Sequence, residues 1–522
     1  MTERALSDLD SSDLDSPRLD RAEPATAGSA PATASSHEHS DVEALHGARN
    51  NRVIWLLLAA TFVVFLNETI MGVAIPHLVV DLAITLSAAQ WLTTAFMLTM
   101  AVVIPITGFL LQRFTTRQMF LTAMSLFSAG TLLAALAPGF EVLLGARVVQ
   151  ATGTAIMMPL LMTTLMTLVA PSDRGRLMGR VSIVMSVAPA IGPTISGLIL
   201  DSLNWRFMFW LVLPIAVTML VIGFRRVENV SDTRRTPIDP FSIVLSAIGF
   251  GGLVYGLSLV GGVVTGTDTV NTAQMWISFI AGALGVAAFI VRQLLLQRRD
   301  AALLDLRTFT SRNFAIAVGL MTIMMAALFG TIVLLPIYLQ DVLHLTPSFT
   351  GLLVLPGGLA MGLLGPTVGR LFDRFGPTPL LVPGSIVVSA VLWSLTLVTE
   401  QTSPWLVLVA HVALSIGLAF MFTPLFTSAL GSIEPRFYSH GSAIVGTIQQ
   451  VAGAAGTTLF ITVMTSQAAT AMTSGAATTE VAAASGIRSA FLVGAILSLV
   501  AIVGAFLVRR PADMESGASV GH

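Results

Sequence analysis

The sequence has no cysteine and no lysine, and only 11% of its residues are charged. Without cysteine there is no disulfide framework, no thiolate metal site and no thiol nucleophile. Without lysine there is no glycine-rich loop ending in Lys-Ser/Thr to cradle the phosphates of ATP, which excludes ATP-driven work by this chain. The 27 basic residues are all arginine and face 28 acids, a formal charge of −1 that argues against nucleic-acid binding. No acid-rich metal cluster and no Ser/His/Asp arrangement stands out, so neither enzymatic activity nor a metal or cofactor is expected.

What the chain has in excess is apolar surface: 54% hydrophobic residues and a mean hydropathy of +0.84. From Val53 it divides into fourteen apolar stretches, at about 53–74, 89–110, 118–137, 142–169, 178–200, 206–224, 241–262, 273–291, 313–335, 349–369, 380–398, 405–430, 441–463 and 489–508. Most are about 20 residues long, enough to cross a hydrocarbon core of about 30 Å. Backbone polar groups cannot face lipid unpaired, and these runs do not alternate as barrel strands do, so they are predicted to be helices. The fold class is an all-α integral membrane protein.

Arginine sets the expected topology. Twenty-one arginines, from Arg49 to Arg510, fall in alternate connections, against Arg206 and Arg488 on the other side. The positive-inside rule then puts both termini in the cytoplasm of a multi-pass cell-membrane protein. Residues 1–48 carry ten acids and three arginines with no apolar run, and are read as a disordered acidic tail. This stretch lacks the basic start and apolar core of a signal peptide. Its His37, His39 and His46 are too sparsely spaced to favour a metal site over solvated tail residues.

The chain is also written twice. Gly108-Phe109-Leu110-Leu111-Gln112-Arg113-Phe114 returns 261 positions later as Gly369-Arg370-Leu371-Phe372-Asp373-Arg374-Phe375. Pro76 and Asp81 return as Pro336 and Asp341, and Arg174 and Gly179 as Arg436 and Gly441. The repeat pairs the second stretch with the tenth and leaves the seventh and eighth without counterparts. The plan is a six-helix bundle (53–224), two inserted helices (241–291), a second six-helix bundle (313–508) and a cytoplasmic tail (509–522). Long-range repeats in a polytopic protein mark secondary transporters, whose halves rock about a site near the midplane.

From 53 to 510 the chain resembles the fourteen-helix drug:proton antiporters of the major facilitator superfamily. Gly108, Leu110, Arg113 and Arg117 match the superfamily's G-x-L-x-D-R-x-G-R-[RK] loop, with Gln112 in place of the usual Asp and Thr115 and Thr116 as further departures. Arg147-Val148-Val149-Gln150-Ala151-Thr152-Gly153-Thr154-Ala155 is similar to R-x-x-Q-G-x-G-x-A, with Ala151 for a Gly. Ala188-Pro189-Ala190-Ile191-Gly192-Pro193-Thr194-Ile195-Ser196-Gly197 is similar to the antiporter motif, which implies export. Leu66-Asn67-Glu68-Thr69-Ile70-Met71-Gly72-Val73-Ala74-Ile75-Pro76 resembles L-D-x-T-I-V-N-V-A-L-P, with Asn67 at the usual Asp and the acid moved to Glu68. Asn204-Trp205-Arg206-Phe207 and Ser439-His440-Gly441-Ser442 also look like this branch, and 112–117 is similar to lincomycin-resistance-type exporters. The resemblance implies alternating-access export of hydrophobic or amphipathic drugs or metabolites in exchange for protons. A dedicated exporter of one endogenous metabolite or lipid precursor is the alternative. A non-transporting membrane receptor or enzyme fits less well.

Charges inside membrane spans are functional candidates by default, and Glu68 and Arg147 qualify. Glu68 reads as a proton carrier and cation-attracting group, against a solvated helix-end carboxylate. Arg147 stays charged at any useful pH; it either snorkels to the outer surface or reaches the central cavity to hold a hydrogen-bond network. His411 titrates in the physiological range or packs as a hydrogen-bonded core residue. Asn67, Gln449 and Gln450 are polar groups that hydrocarbon penalises unless they face a cavity or a partner. Pro189, Gly192, Pro193 and Gly197 permit close, moving helix contact. Gln112, Arg113, Arg117, Asp373 and Arg374 read as gating residues latching cytoplasmic helix ends, or as topology-setting polar residues. Met157, Met158, Met162 and Met166 line a pocket or, more simply, fill a core.

Overall fold

The computed structural model describes residues 34–230, 233, 239–265, 272–476 and 478–511. Among these, fourteen helices are long and apolar enough to cross a membrane, and there is no strand. In chain order the first six are α1 (Ala34–Asp81), α2 (Leu86–Arg113), α3 (Thr116–Ala135), α4 (Phe140–Leu168), α5 (Arg174–Ser202) and α6 (Arg206–Arg226). The inserted pair is α7 (Pro240–Val260) and α8 (Thr272–Leu296). The last six are α9 (Arg312–Ile337), α10 (Pro347–Phe375), α11 (Thr378–Leu395), α12 (Pro404–Gly431), α13 (Tyr438–Thr473) and α14 (Thr479–Ala505). Two six-helix halves with a two-helix insert are the architecture expected from the repeat.

The chain separates into two compact units, Met1–Arg49 and Asn50–His522, and every membrane-crossing span lies in the second. The acidic tail expected at 1–48 lies outside the described residues as far as residue 33. From Ala34 the chain is helical instead, since no proline interrupts it between Pro31 and Pro76. The tail expected at 509–522 lies outside the described residues beyond Pro511.

Local signals set the helix ends. Thr85, Ser311, Thr346 and Thr478 each accept a bond from a backbone N–H of the first turn they precede. Thr115 and Gln118 form a reciprocal capping box at α3. Arg113, Arg225, Arg226 and Arg374 stand in last turns, where they meet the negative end of the helix dipole. α10 stops at Gly376, whose φ of +79° suits glycine.

The most extensive helix contact joins the two halves: α5 lies along α10. It depends on glycines spaced by four on each helix, Gly175 and Gly179 facing Gly369 and Gly365; a Cβ on any of them would overlap backbone across the seam. The pseudo-symmetric contact is α2 against α13. There a Cβ on Gly108 would lie 3.0 Å from Ala443 Cβ and 3.2 Å from Ser439 O. Helices meet this closely in lipid through small residues, because apolar side chains gain nothing by leaving one hydrocarbon for another. The insert packs outside this second seam, with Thr458 on α13 donating to the Leu257 carbonyl of α7 (3.1 Å) and Trp91 on α2 against Tyr255 (5.6 Å between centroids).

Burial differs between the two ends of the bundle. At the arginine-rich end Met421–Gly431 of α12 and Tyr438–Thr447 of α13 are buried on every side. Further along, α13 is half-exposed at Ile448–Val451, and the first turns of α12 are largely exposed. The halves are therefore closed on one another at the arginine-rich end and apart at the other.

Candidate functional site

Glu68 lies sixteen residues after Arg52 and thirteen before Asp81 on α1, about 24 Å and about 20 Å along the helix. That places it inside the membrane-crossing span Asn50–Met71, in its last turn. It keeps partial exposure, while its neighbour Asn67 is fully buried. One residue of helix turns the side chain by about 100°, which explains the difference. Asn67 turns into the first half and Glu68 off another face. Arg147, 1% exposed, is the charge acting on Glu68 through space.

Arg147 neither snorkels nor stands alone. Its Nη1 donates to Gln150 Oε1 (2.8 Å), its Nε reaches the Leu92 carbonyl of α2 (3.5 Å), and its guanidinium lies 4.1 Å from the Phe96 ring centroid. Gln150 Nε2 in turn donates to Thr131 Oγ1 on α3 (2.8 Å) and to Asn67 Oδ1 on α1 (3.2 Å). Gln150 thus joins α1, α3 and α4, and Arg147 extends the network to α2. All these direct acceptors are neutral, and Asn67 Nδ2 finds none. Had residue 67 been an acid, it would have given Arg147 a counter-charge inside this network. With asparagine there, Glu68 supplies the nearby negative charge.

A set of hydrogen bonds crosses between the halves at the arginine-rich end. Asp373, at the end of α10, accepts from the backbone N–H groups of Gly175 and Arg176 (2.8 Å each) at the start of α5. A carboxylate at a helix N-terminus is favoured by both the free N–H groups and the dipole. At the repeat-related place Gln112 Nε2 donates to the Arg436 carbonyl (3.0 Å), so the substitution reverses the polarity of that bond. Arg174 Nη2 donates to Tyr438 Oη (3.1 Å), Ser182 and Thr423 share a bond of 2.7 Å, and Thr163 donates to Ser442 (3.3 Å).

Other expected residues fall differently. Arg117 bonds within its own half, to the Phe224 carbonyl at the end of α6 (2.7 Å), and so braces a bundle; it does not join the two. Arg374 is exposed and lies 5.1 Å from the ring centroid of its neighbour Phe375. Arg113 is half-buried beside Gln112. Gly192 presses on Thr69 of α1, whereas a Cβ on Gly197 meets nothing within 4 Å, so only the first makes a tight contact. Pro189 is half-buried and Pro193 exposed. His411 holds the Val354 carbonyl of α10 through Nε2 (3.1 Å), and its Nδ1 has no partner. Gln449 and Gln450 are half-buried, with Gln449 4.0 Å from Met325 Sδ. Met157, Met158, Met162 and Met166 are core residues.

A further polar cluster ties the insert down. Asp239 takes two bonds from Arg292 (2.6 and 2.8 Å), and buried Gln293 links Ser242 to the backbone N–H groups of Leu303 and Leu304. The Arg292 guanidinium, with help from Ser242, holds the Asp239 carboxyl down at about 2. Hydropathy carries no sign of this cluster. The spacing of the seam glycines, by contrast, is visible in the sequence as two G-x-x-x-G patterns.

Comparison with known proteins bears on the fold and the family. The family model described as Major Facilitator Superfamily matches residues 57–457. The MFS-type transporter YcnB of Bacillus subtilis is 40% identical over 460 residues, 88% of this chain and 95% of its own. The lincomycin resistance protein LmrB of the same organism is 39% identical over 459 residues, 87% of this chain and 95% of its own. The crystal structure of the human organic anion transporter MFSD10 superposes with a TM-score of 0.62 at 13% identity, covering 87% of this chain and 99% of that one.

Proposed function

We propose, from the premise that the chain belongs to the major facilitator superfamily, that it exports hydrophobic and amphipathic small molecules, cations among them, in exchange for protons. It is a multi-pass membrane transporter and not an enzyme. The arginine-rich end faces the cytoplasm of the cell membrane, with both termini there, and the molecule opens outward. Gln112 and Asp373 belong to the inner gate. The observation that carries the reading is Glu68: a partly exposed acid within a membrane-crossing span, near a buried arginine whose direct hydrogen bonds go to neutral groups.

Arg147 stays charged. When Glu68 is ionised the two charges compensate, and a cationic or neutral amphiphile is tolerated beside them. When Glu68 takes up a proton the arginine is left uncompensated in a low dielectric and disfavours a second cation. Proton and cation therefore compete for one carboxylate, and rocking of the halves exposes it to each side in turn. His411, Gln449 and Gln450 contribute the polar groups of the second half. The name of LmrB supports an antibiotic among the substrates.

The test is efflux from liposomes holding the purified chain. Glu68→Gln keeps the shape and removes titration, so it abolishes pH-gradient-driven cation efflux and weakens cation binding, while some binding of neutral amphiphiles persists. Glu68→Asp retains part of the rate with a displaced pH optimum. Wild-type pumping by Glu68→Gln sinks the coupling role.

A further inference from the structure

Away from the path between the halves, a notch of about 230 Å³ opens at the arginine-rich end between the start of α9 and the end of α14. It is smaller than the roughly 300–1,000 Å³ of drug-sized ligand sites. Arg312, Asn313, Ile316, Phe506, Leu507 and Arg509 line it. Both arginines are exposed, and among the described residues neither guanidinium has a hydrogen bond or an ion pair. Beside them Phe506 and Leu507 expose 60% and 47% of their surface.

The backbones that carry the two arginines are held together although 197 residues separate them. Asn313 Nδ2 donates to the Arg509 carbonyl (3.0 Å) and the Arg509 N–H donates back to Asn313 Oδ1 (2.8 Å). Arg312 is also the first residue of α9, where the positive end of the helix dipole adds to its charge. Two cations on anchored backbone at the edge of an exposed apolar wall, at the level of a helix end, match one kind of partner: a negative headgroup joined to hydrocarbon.

We propose that this notch binds an anionic phospholipid, its phosphate between Arg312 and Arg509 and its acyl chains along Ile316, Phe506 and Leu507. The phosphate oxygens accept from the guanidinium N–H groups, and the apolar wall discriminates a lipid from a free anion. Basic notches between helices at a membrane face are suited to such headgroups. The site is separate from Glu68 and stands whether or not the chain exchanges protons.

The test uses the full-length purified protein in detergent, with phosphatidylglycerol and phosphatidylcholine competed by native mass spectrometry. Wild type retains phosphatidylglycerol preferentially. Each of Arg312→Gln and Arg509→Gln weakens that retention about fivefold, and the double variant about twenty-five-fold, taking one surface charge at its usual worth. Retention of phosphatidylcholine does not change. The double lysine variant keeps most of the preference, which separates loss of charge from loss of fold. Millimolar inorganic phosphate does not displace the lipid, and Phe506→Ala weakens lipid retention. No headgroup preference in wild type, an unchanged preference in the double glutamine variant, or displacement by inorganic phosphate overturns the proposal.

Discussion

Asn67 and Glu68 differ by one position and by their whole environment. The first is closed in a network with Gln150, and the second keeps partial exposure. An acid on this helix is therefore not enough; its direction matters. Exchanging the two in Asn67→Asp/Glu68→Gln leaves the number of acids unchanged, but puts the carboxylate where it neutralises Arg147 inside the bundle. We expect no recovery of pH-gradient-driven efflux relative to Glu68→Gln alone, measured in the same liposomes. Recovery would mean that any acid in this turn suffices and that the geometry around Glu68 has no bearing on coupling.

Among the elements, α5 has two kinds of glycine. Gly192 abuts Thr69, so Gly192→Leu must push α1 and α5 apart at a cost of about 1–3 kcal/mol, and it lowers transport more than membrane abundance. Gly197 faces open space, so Gly197→Leu transports at close to the wild-type rate. Equal effects in the two variants, measured as efflux per unit of protein, would count against this difference. The insert supplies a second prediction. Asp239 has its carboxyl held at about 2 by the Arg292 guanidinium bonded to it, below the unfolded value of about 4. A depressed carboxylate stabilises the fold above the unfolded value and loses that contribution as pH falls through the folded one. Hydrogen exchange at the start of α7 is thus expected to be insensitive to this group from pH 5 to 8 and to quicken between about pH 4 and about pH 2. Asp239→Asn shows the faster exchange already at neutral pH. Unaltered exchange in that variant would show that the ion pair does not hold the insert.

At the scale of the whole molecule, the two halves meet at one end and part at the other, and the bonds that hold the closed end are unequal. Asp373 clasps the start of α5 with a charged acceptor, whereas Gln112 makes a single neutral bond at the related place. Asp373→Asn removes the charge from the stronger clasp. Hydrogen bonds to charged groups contribute about 1.5–3 kcal/mol each, so the ratio of closed to open molecules falls by about tenfold or more. The absence of native cysteine makes the measurement direct, with spin labels on cysteines introduced at the exposed Gln118 and Phe375, one on each half. A broadened, longer distance in Asp373→Asn is expected. An unchanged distribution would remove Asp373 from the gate.

Helix number, the repeat and the inserted pair were all readable in the sequence, because a hydrocarbon solvent leaves one solution to a run of about 20 apolar residues and because the two halves repeat their loops in register. The spacing of Gly175, Gly179, Gly365 and Gly369 is visible in the sequence, but that they face one another across the halves was decided by the fold. The sequence also supplied the acid on α1 and the arginine on α4. It did not say that Gln150 joins them to α3, that Arg117 serves its own bundle, or that Asp239 and Arg292 close the insert. Partners 19 to 107 positions apart are chosen by how helices rotate and tilt against one another, which hydropathy does not encode. The end at which the halves close was likewise decided only by tertiary packing. The repeat allows either end to close, and the pairing of Asp373 with the first N–H groups of α5 forms only when the arginine-rich ends come together.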